Sequence, residues 1–303
     1  MKISVVFPSV VYREGPQAVA KLMQAIEHIG FDELNVFDHV LMGYETEHRP
    51  APFYPAQMPI LEALTTLAHA AAVTERIGLG TGVLVLPQRQ PTLVAKQVAT
   101  LDVLSGGRIR LGVGVGWQAS EYDALEQDFH DRGARMDEAI RLLRHYWSDA
   151  RIDFDGEYYQ ANAMAMEPKS PQAGRLPIWI GGSVPRTLQR VGELGDGWMS
   201  MAIRDGATAI RCIQKIREFA EAAGRDPSTI GLQTSLSPFS RKERDAFYTD
   251  PEHLVRRMVE VRDQGFEWGS IDMVGLFQAG FRTVDALIDQ LGVIYTRLAA
   301  ERG

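Results

Sequence analysis

Residues 77–83 read IGLGTGV and residues 111–117 read LGVGVGW. Glycine occupies every second position in both, at Gly78, Gly80 and Gly82 and again at Gly112, Gly114 and Gly116. Side chains on a strand alternate between faces, so each stretch predicts a strand with one bare face. Ile77, Leu79 and Thr81, or Leu111, Val113 and Val115, fill the other face. Interior glycine weakens a strand and is kept where a backbone or a ligand approaches closely. Two neighbouring strands of this kind imply a slot for something flat, and the function is sought there.

Outward from these stretches the chain alternates strand-like and helix-like segments. Strands are expected at 2–8, 33–37, 76–83, 108–114, 176–180, 197–201, 230–236 and 269–274. Helices are expected at 16–29, 59–73, 91–104, around the stripe Met136, Ile140, Leu143 and Trp147, from Pro185, and at 207–223, 251–264 and 283–298. Eight such units, joined by right-handed crossovers, predict a (β/α)8 barrel, the TIM barrel. An open doubly wound sheet is the alternative, but it calls for G-x-G-x-x-G after the first strand, and GVGVG lies mid-chain with a different spacing. After the fourth helical region, FDGEYYQ and two prolines break the rhythm, so residues 149–176 read as an inserted hairpin within one domain spanning 1–303.

Composition narrows the function. A net charge of -7 argues against nucleic acid or an anionic membrane as the main partner. The single cysteine, Cys212, excludes an internal disulfide and a multi-cysteine metal site, and in its helical pattern reads as a small buried hydrophobe. No His/Cys/Asp/Glu cluster has metal-ligand spacing. The N-terminal run is too short for a secretion signal, no run is long enough to span a bilayer, and a cytoplasmic protein is expected.

In a barrel, chemistry collects where the strands end. Asp38 and His39 follow the second strand: His39 is a catalytic candidate or a loop cap, and Asp38 either fixes its tautomer or caps a turn. Trp117 follows the bare fourth strand as a wall for a planar ligand or as core. Gly181, Gly182 and Ser183 precede a helix, the arrangement of an anion site, with Arg186 as a further donor; a plain tight turn is the alternative. Tyr12, Tyr44, Phe53 and Tyr54 suggest an aromatic-walled substrate pocket. Loop 42–58 and the excursion after 149 are expected to cover it. Arg132, Arg135, Asp137 and Glu138 are expected to pair with one another or to cap.

Taken together, LSGGRIRLGVGVGWQASEYDALEQDFHDRGARMDEAIRLLRHYW, HIGFDELNVFDHV, IGLGTGVLVLPQRQPTLVAKQ and LPIWIGGSVPRTLQRVGELGDGW resemble the bacterial luciferase-like monooxygenase superfamily. The first stretch is similar to its branch of coenzyme F420-dependent oxidoreductases. The resemblance implies a barrel with an insertion, usually dimeric, holding a deazaflavin or FMN at its C-terminal face. It makes His39 the active-site histidine with Asp38 beside it, and the Gly82–Val83 bond a cis peptide behind the ring. Gly114, Val115, Gly116 and Trp117 would line the cofactor, and Gly181, Gly182 and Ser183 would bind its phosphate. One departure stands out. Some F420 dehydrogenases carry glutamate directly after the strand-four glycine; this chain has Trp117 there, and its nearest acid, Glu121, comes a helical turn later.

The expected activity is hydride transfer between bound F420 and a small organic substrate. The alternatives are an FMNH2- and O2-using monooxygenase of the same superfamily and a flavin-binding barrel without catalysis.

Overall fold

The structure, a computed structural model, describes residues 1–52 and 54–301. Eight strands run parallel and close into a ring: Lys2–Val6, Glu33–Val36, Gly78–Thr81, Ile109–Gly114, Ile178–Gly181, Gly197–Ser200, Gly231–Ser235 and Trp268–Asp272. Each pairs with the next, and the eighth returns to the first with Val6 level with Asp272. The expected TIM barrel is the fold.

Helices Pro16–Ile29, Ala63–Val73, Pro91–Ser105, Arg132–Ser148, Pro185–Leu194, Gly206–Ala222, Pro251–Asp263 and Val284–Ala300 cover the outside. Proline opens four of them, where its missing N–H costs nothing. Left-handed Gly30 and Gly106 end two. Two expected boundaries move because a carboxylate caps. The second helix starts at Ala63 rather than 59, since Glu62 accepts from Thr65 N–H at 2.7 Å. The eighth strand stops at Asp272, whose side chain accepts from Val274 N–H at 2.9 Å and opens helix Met273–Gln278.

The excursion is an antiparallel hairpin, Ile152–Asp155 with Gln160–Met164. Glu138 ties it down by accepting the N–H groups of Glu157, Tyr158 and Tyr159 at 2.9, 2.9 and 2.7 Å. Of the two expected outcomes for the charges of helix Arg132–Ser148, pairing with one another or capping, Glu138 takes the second. Asp137 bonds Arg186 and Arg190 of the next outer helix, and Arg135 pairs with Asp131.

Leu79, Leu111 and Val113 are buried and belong to the barrel's hydrophobic core. The glycines make room elsewhere, and at the lower end the chain's own side chains take it. The Arg110 guanidinium lies 4.1 Å from the Trp179 ring centroid and 4.5 Å from that of Trp268, bonded to Glu33 and Gln233. Gly197 and Gly231 leave space for Trp179, and a side chain on Gly80 would meet Asn35 Oδ1 and the Arg110 carbonyl.

Candidate functional site

A cavity of about 570 Å³ lies at the C-terminal ends of the strands. That volume suits a bound organic ligand. Gly82, Val83, Gly114, Val115, Gly116 and Trp117 border it, with Gly181, Gly182 and Ser183 along one side and Asp38, His39 and Tyr54 along another. The sequence thus brings these twelve candidates together. Tyr12 and Tyr44 are not among the lining residues: they are 47% and 61% exposed, and the Tyr44 hydroxyl accepts from Gln57. Phe53 lies outside the described residues. Loop 42–58 does contribute cover through Tyr54 and Met58, whereas no residue of 149–176 lines the cavity.

The bare slot needs correcting. The Gly82–Val83 peptide bond is cis. A Cβ on Gly114 would lie 2.7 Å from Val83 Cγ2, one on Gly181 2.9 Å from Val83 Cγ1, and one on Gly116 2.7 Å from Val85 Cγ1. The hollows left by the glycines are filled by two valines of the third strand's extension. A flat ligand here meets Val83, not naked backbone.

Around the mouth, aromatic rings close on His39. Tyr54 and Trp117 stand edge-on to the imidazole, with ring centroids 5.9 and 5.5 Å away. His39 Nδ1 lies 3.0 Å from Glu121 Oε2, while Glu121 Oε1 accepts from Val40 N–H at 2.6 Å. Burial works against ionising Glu121, but the bonds from His39 and the Val40 amide outweigh it and hold the carboxyl below its usual range. An ionised carboxylate only accepts, so Nδ1 carries the proton and Nε2 is left as an acceptor.

Asp38 therefore does not orient the imidazole. Its Oδ1 bonds Arg89 Nη2 at 2.8 Å and its Oδ2 accepts from Val85 N–H at 3.0 Å, pinning the valine extension to the end of strand two. Burial raises its pKa despite the arginine. Asp38 is a positioning residue for the wall.

Gly182 has φ +118°, a conformation that suits glycine. Its N–H donates to Met199 carbonyl oxygen at 3.2 Å and its carbonyl accepts from Trp198 Nε1 at 2.6 Å. This braced turn sets Ser183 at the start of helix Pro185–Leu194, where the helix field favours an anion. Arg186 Nη2 bonds Asp137 at 2.8 Å, and Arg186 is not among the residues lining the cavity.

Glu121, a helical turn beyond the strand end, reaches His39 because its short helix, Ala119–Ala124, returns it there; two further residues carry no signal in the sequence. Asn35 and Asp272 hid inside expected strands, and both line the cavity. Asn35 is 1% exposed, and neither its side-chain oxygen nor its nitrogen has a partner. Cys212 is partly buried against the core, as a small hydrophobe would be. Among the described residues no group of three His, Cys, Asp or Glu could hold a metal, and no helix is long and apolar enough to cross a membrane.

The sequence model of one protein family, luciferase-like monooxygenase, matches residues 1–282. The chain belongs to that family. Among its luciferase-like relatives, an F420-dependent glucose-6-phosphate dehydrogenase of Mycolicibacterium gilvum is 32% identical over 243 residues, 78% of this chain and 67% of its own length. An F420-dependent hydroxymycolic acid dehydrogenase of Mycobacterium tuberculosis is 33% identical over 219 residues, 70% of this chain and 56% of its own. The luciferase-like fold is shared with an F420-dependent secondary alcohol dehydrogenase solved with an F420-acetone adduct, at TM-score 0.78 and 20% identity over 98% of each chain. The long-chain alkane monooxygenase LadA shares it too, at TM-score 0.80 and 13% identity, covering 99% of this chain and 91% of LadA.

Proposed function

We propose that this protein is an oxidoreductase that uses coenzyme F420 to move hydride to or from a small organic substrate. The observation that carries the reading is His39, backed by Glu121, in the wall of a cavity lined by Val83 on one side and by Gly181, Gly182 and Ser183 on another. The names of the curated relatives support F420 over FMN.

The residues present fit such a cofactor. Val83 offers an apolar surface for a ring. The unpartnered Asn35 amide presents one donor pair and one acceptor, the match for a heterocycle's polar edge. Ser183 and the start of helix Pro185–Leu194 would hold a phosphate. When bound, the deazaflavin supplies the hydride chemistry. The chain supplies the rest. His39 Nε2 takes a proton from a substrate hydroxyl in the oxidising direction and returns it to the carbonyl oxygen in the reducing one, the work of a general acid–base imidazole. Glu121 orients the ring, favours the neutral tautomer with its proton on Nδ1, and stabilises the imidazolium once Nε2 has taken a proton. Tyr54, Trp117 and Met58 shield the exchange from water.

A homodimer and a cytoplasmic location belong to the same reading. Leu93 and Leu104, 58% and 67% exposed on helix Pro91–Ser105, are apolar surface that a second copy would cover. Fluorescence titration of the purified protein with F420 and with FMN tests the cofactor. F420 binding is expected; tight FMN binding with none for F420 would turn the reading towards a flavin monooxygenase. Bound cofactor without any substrate-dependent oxidation would point to a barrel that has lost catalysis.

A further inference from the structure

Asp272 has no part in the scheme above. It closes the eighth strand, level with Val6 on the first strand, while Val6 is level with Asn35 on the second. Asn35, Val6 and Asp272 thus form one row across three strands, and all three line the cavity. One Asp272 oxygen, Oδ1, is held by Val274 N–H at 2.9 Å. No cation faces the carboxyl: among the described residues, no lysine or arginine lines the cavity. Arg89 is engaged by Asp38 and Glu62, and Arg186 by Asp137.

That charge pattern restricts what can be bound. Phosphate and carboxylate groups are held by charge-assisted bonds, above all from arginine and lysine. The anion site beside Ser183 is taken by the cofactor's own phosphate in the reading above. A second anion at the Asp272 end would find no lysine or arginine among the described lining residues to neutralise it. Ser270 on the same strand and Ser235 level with it are lining residues close to Asp272 in the fold, while Val6, Phe37, Tyr54, Met58 and Val274 give the cavity a largely apolar wall, which suits a hydrocarbon body carrying one oxygen.

We propose that Asp272 determines substrate specificity by bonding the oxygen of a neutral alcohol or ketone with an apolar body, and that the cavity rejects sugar phosphates and carboxylates. This deepens the functional reading and rests on it. Burial raises the Asp272 carboxyl above its usual range, so it donates to a carbonyl oxygen more readily than an ordinary aspartate does. The expectation separates this chain from its glucose-6-phosphate dehydrogenase relatives, although about a third of the aligned residues are shared.

The test uses F420-loaded protein, with loading measured first, and two probes: cyclohexanol and glucose 6-phosphate. Binding is read by thermal shift and turnover by loss of F420 absorbance. Cyclohexanol is expected to bind and turn over, and glucose 6-phosphate to do neither. Asp272→Asn, which keeps a side-chain oxygen for Val274 N–H, is expected to raise KM for cyclohexanol about tenfold with a smaller change in kcat. Binding or turnover of glucose 6-phosphate in place of cyclohexanol would overturn the proposal, as would no response to cyclohexanol or an unchanged KM in Asp272→Asn. Failure of F420 to load would instead sink the cofactor reading, and the two probes would then be compared on the bare protein by thermal shift alone.

Discussion

His39 and Glu121 are 82 residues apart in the chain, yet the imidazole Nδ1 and the carboxylate Oε2 are 3.0 Å apart. The pair joins the end of the second strand to the helix after the fourth. Glu121→Gln preserves an oxygen for Val40 N–H but offers Nδ1 an amide donor in place of an acceptor. The ring would then carry its proton on Nε2, the wrong atom for taking one from an alcohol. Steady-state alcohol oxidation should fall by roughly 10²-fold or more, the scale of a lost general base, with F420 affinity largely kept. Unaltered kcat would show that the tautomer does not matter.

His39→Ala removes the acceptor outright. A loss of about 10² to 10⁴ in kcat is expected from the general-base role. The F420 dissociation constant, read by fluorescence, should barely move, because Val83, Asn35 and the Gly182 turn are untouched. Equal losses in affinity and in rate would make His39 a cofactor ligand instead.

Two glycines of the fourth strand should answer differently to alanine. At Gly112 the new methyl would strike the Thr81 carbonyl, backbone of the neighbouring strand that cannot yield, and sit 2.7 Å from Met199 Sδ. Overpacking of that kind costs about 1–3 kcal/mol or more, so denaturant unfolding should report a large loss for Gly112→Ala. At Gly114 the methyl meets only Val83 Cγ2, a side chain that borders the cavity and can move into it. Gly114→Ala should therefore unfold nearly like the parent and lose cofactor affinity. The reverse order of stabilities would contradict the packing described.

Asp272 carries a pH signature. Burial raises its carboxyl above the ordinary 3.8, against the pull of the Val274 and Gly275 amides. Tyr54 and Tyr248 are its titratable neighbours. The folded chain then holds this proton more tightly than the unfolded one, so stability is greatest below the ordinary value and falls as pH rises through the folded value. Asp272→Asn keeps the cap and lacks the fall. Its Tm should exceed that of the parent at pH 7 and match it near pH 3; an equal gap at both would refute the linkage.

Much of the barrel was legible because its signals are local. Alternating strands, opening prolines and left-handed Gly30 and Gly106 each act within a few residues. The site was legible where it followed a strand end directly, as at His39, Trp117 and Gly181 to Ser183. It was illegible where a short helix changed the register. Asp272 read as the inside of a strand, because its capping of Met273–Gln278 depends on where the chain turns. Asp38 is next to His39 in the chain but bonds Arg89, while the more distant Glu121 meets the imidazole: adjacency in sequence is not adjacency in space. The alternating glycines were seen for what they lack; which atoms take up the room is a matter of closure, decided by Arg110, Trp179 and Val83 from other parts of the chain.

The layer of Trp179, Arg110 and Trp268, with Lys2 5.0 Å from the Trp268 ring, stoppers the barrel beneath the cavity. Traffic in and out then passes through the mouth rimmed by Tyr54 and Trp117. If Val83 and Asn35 held a cofactor there, a substrate seated between it and the rim would have to enter after it and leave before it. Exchange in this enzyme should thus be a queue, last in and first out, with the visitor nearest the rim setting the pace for the one below.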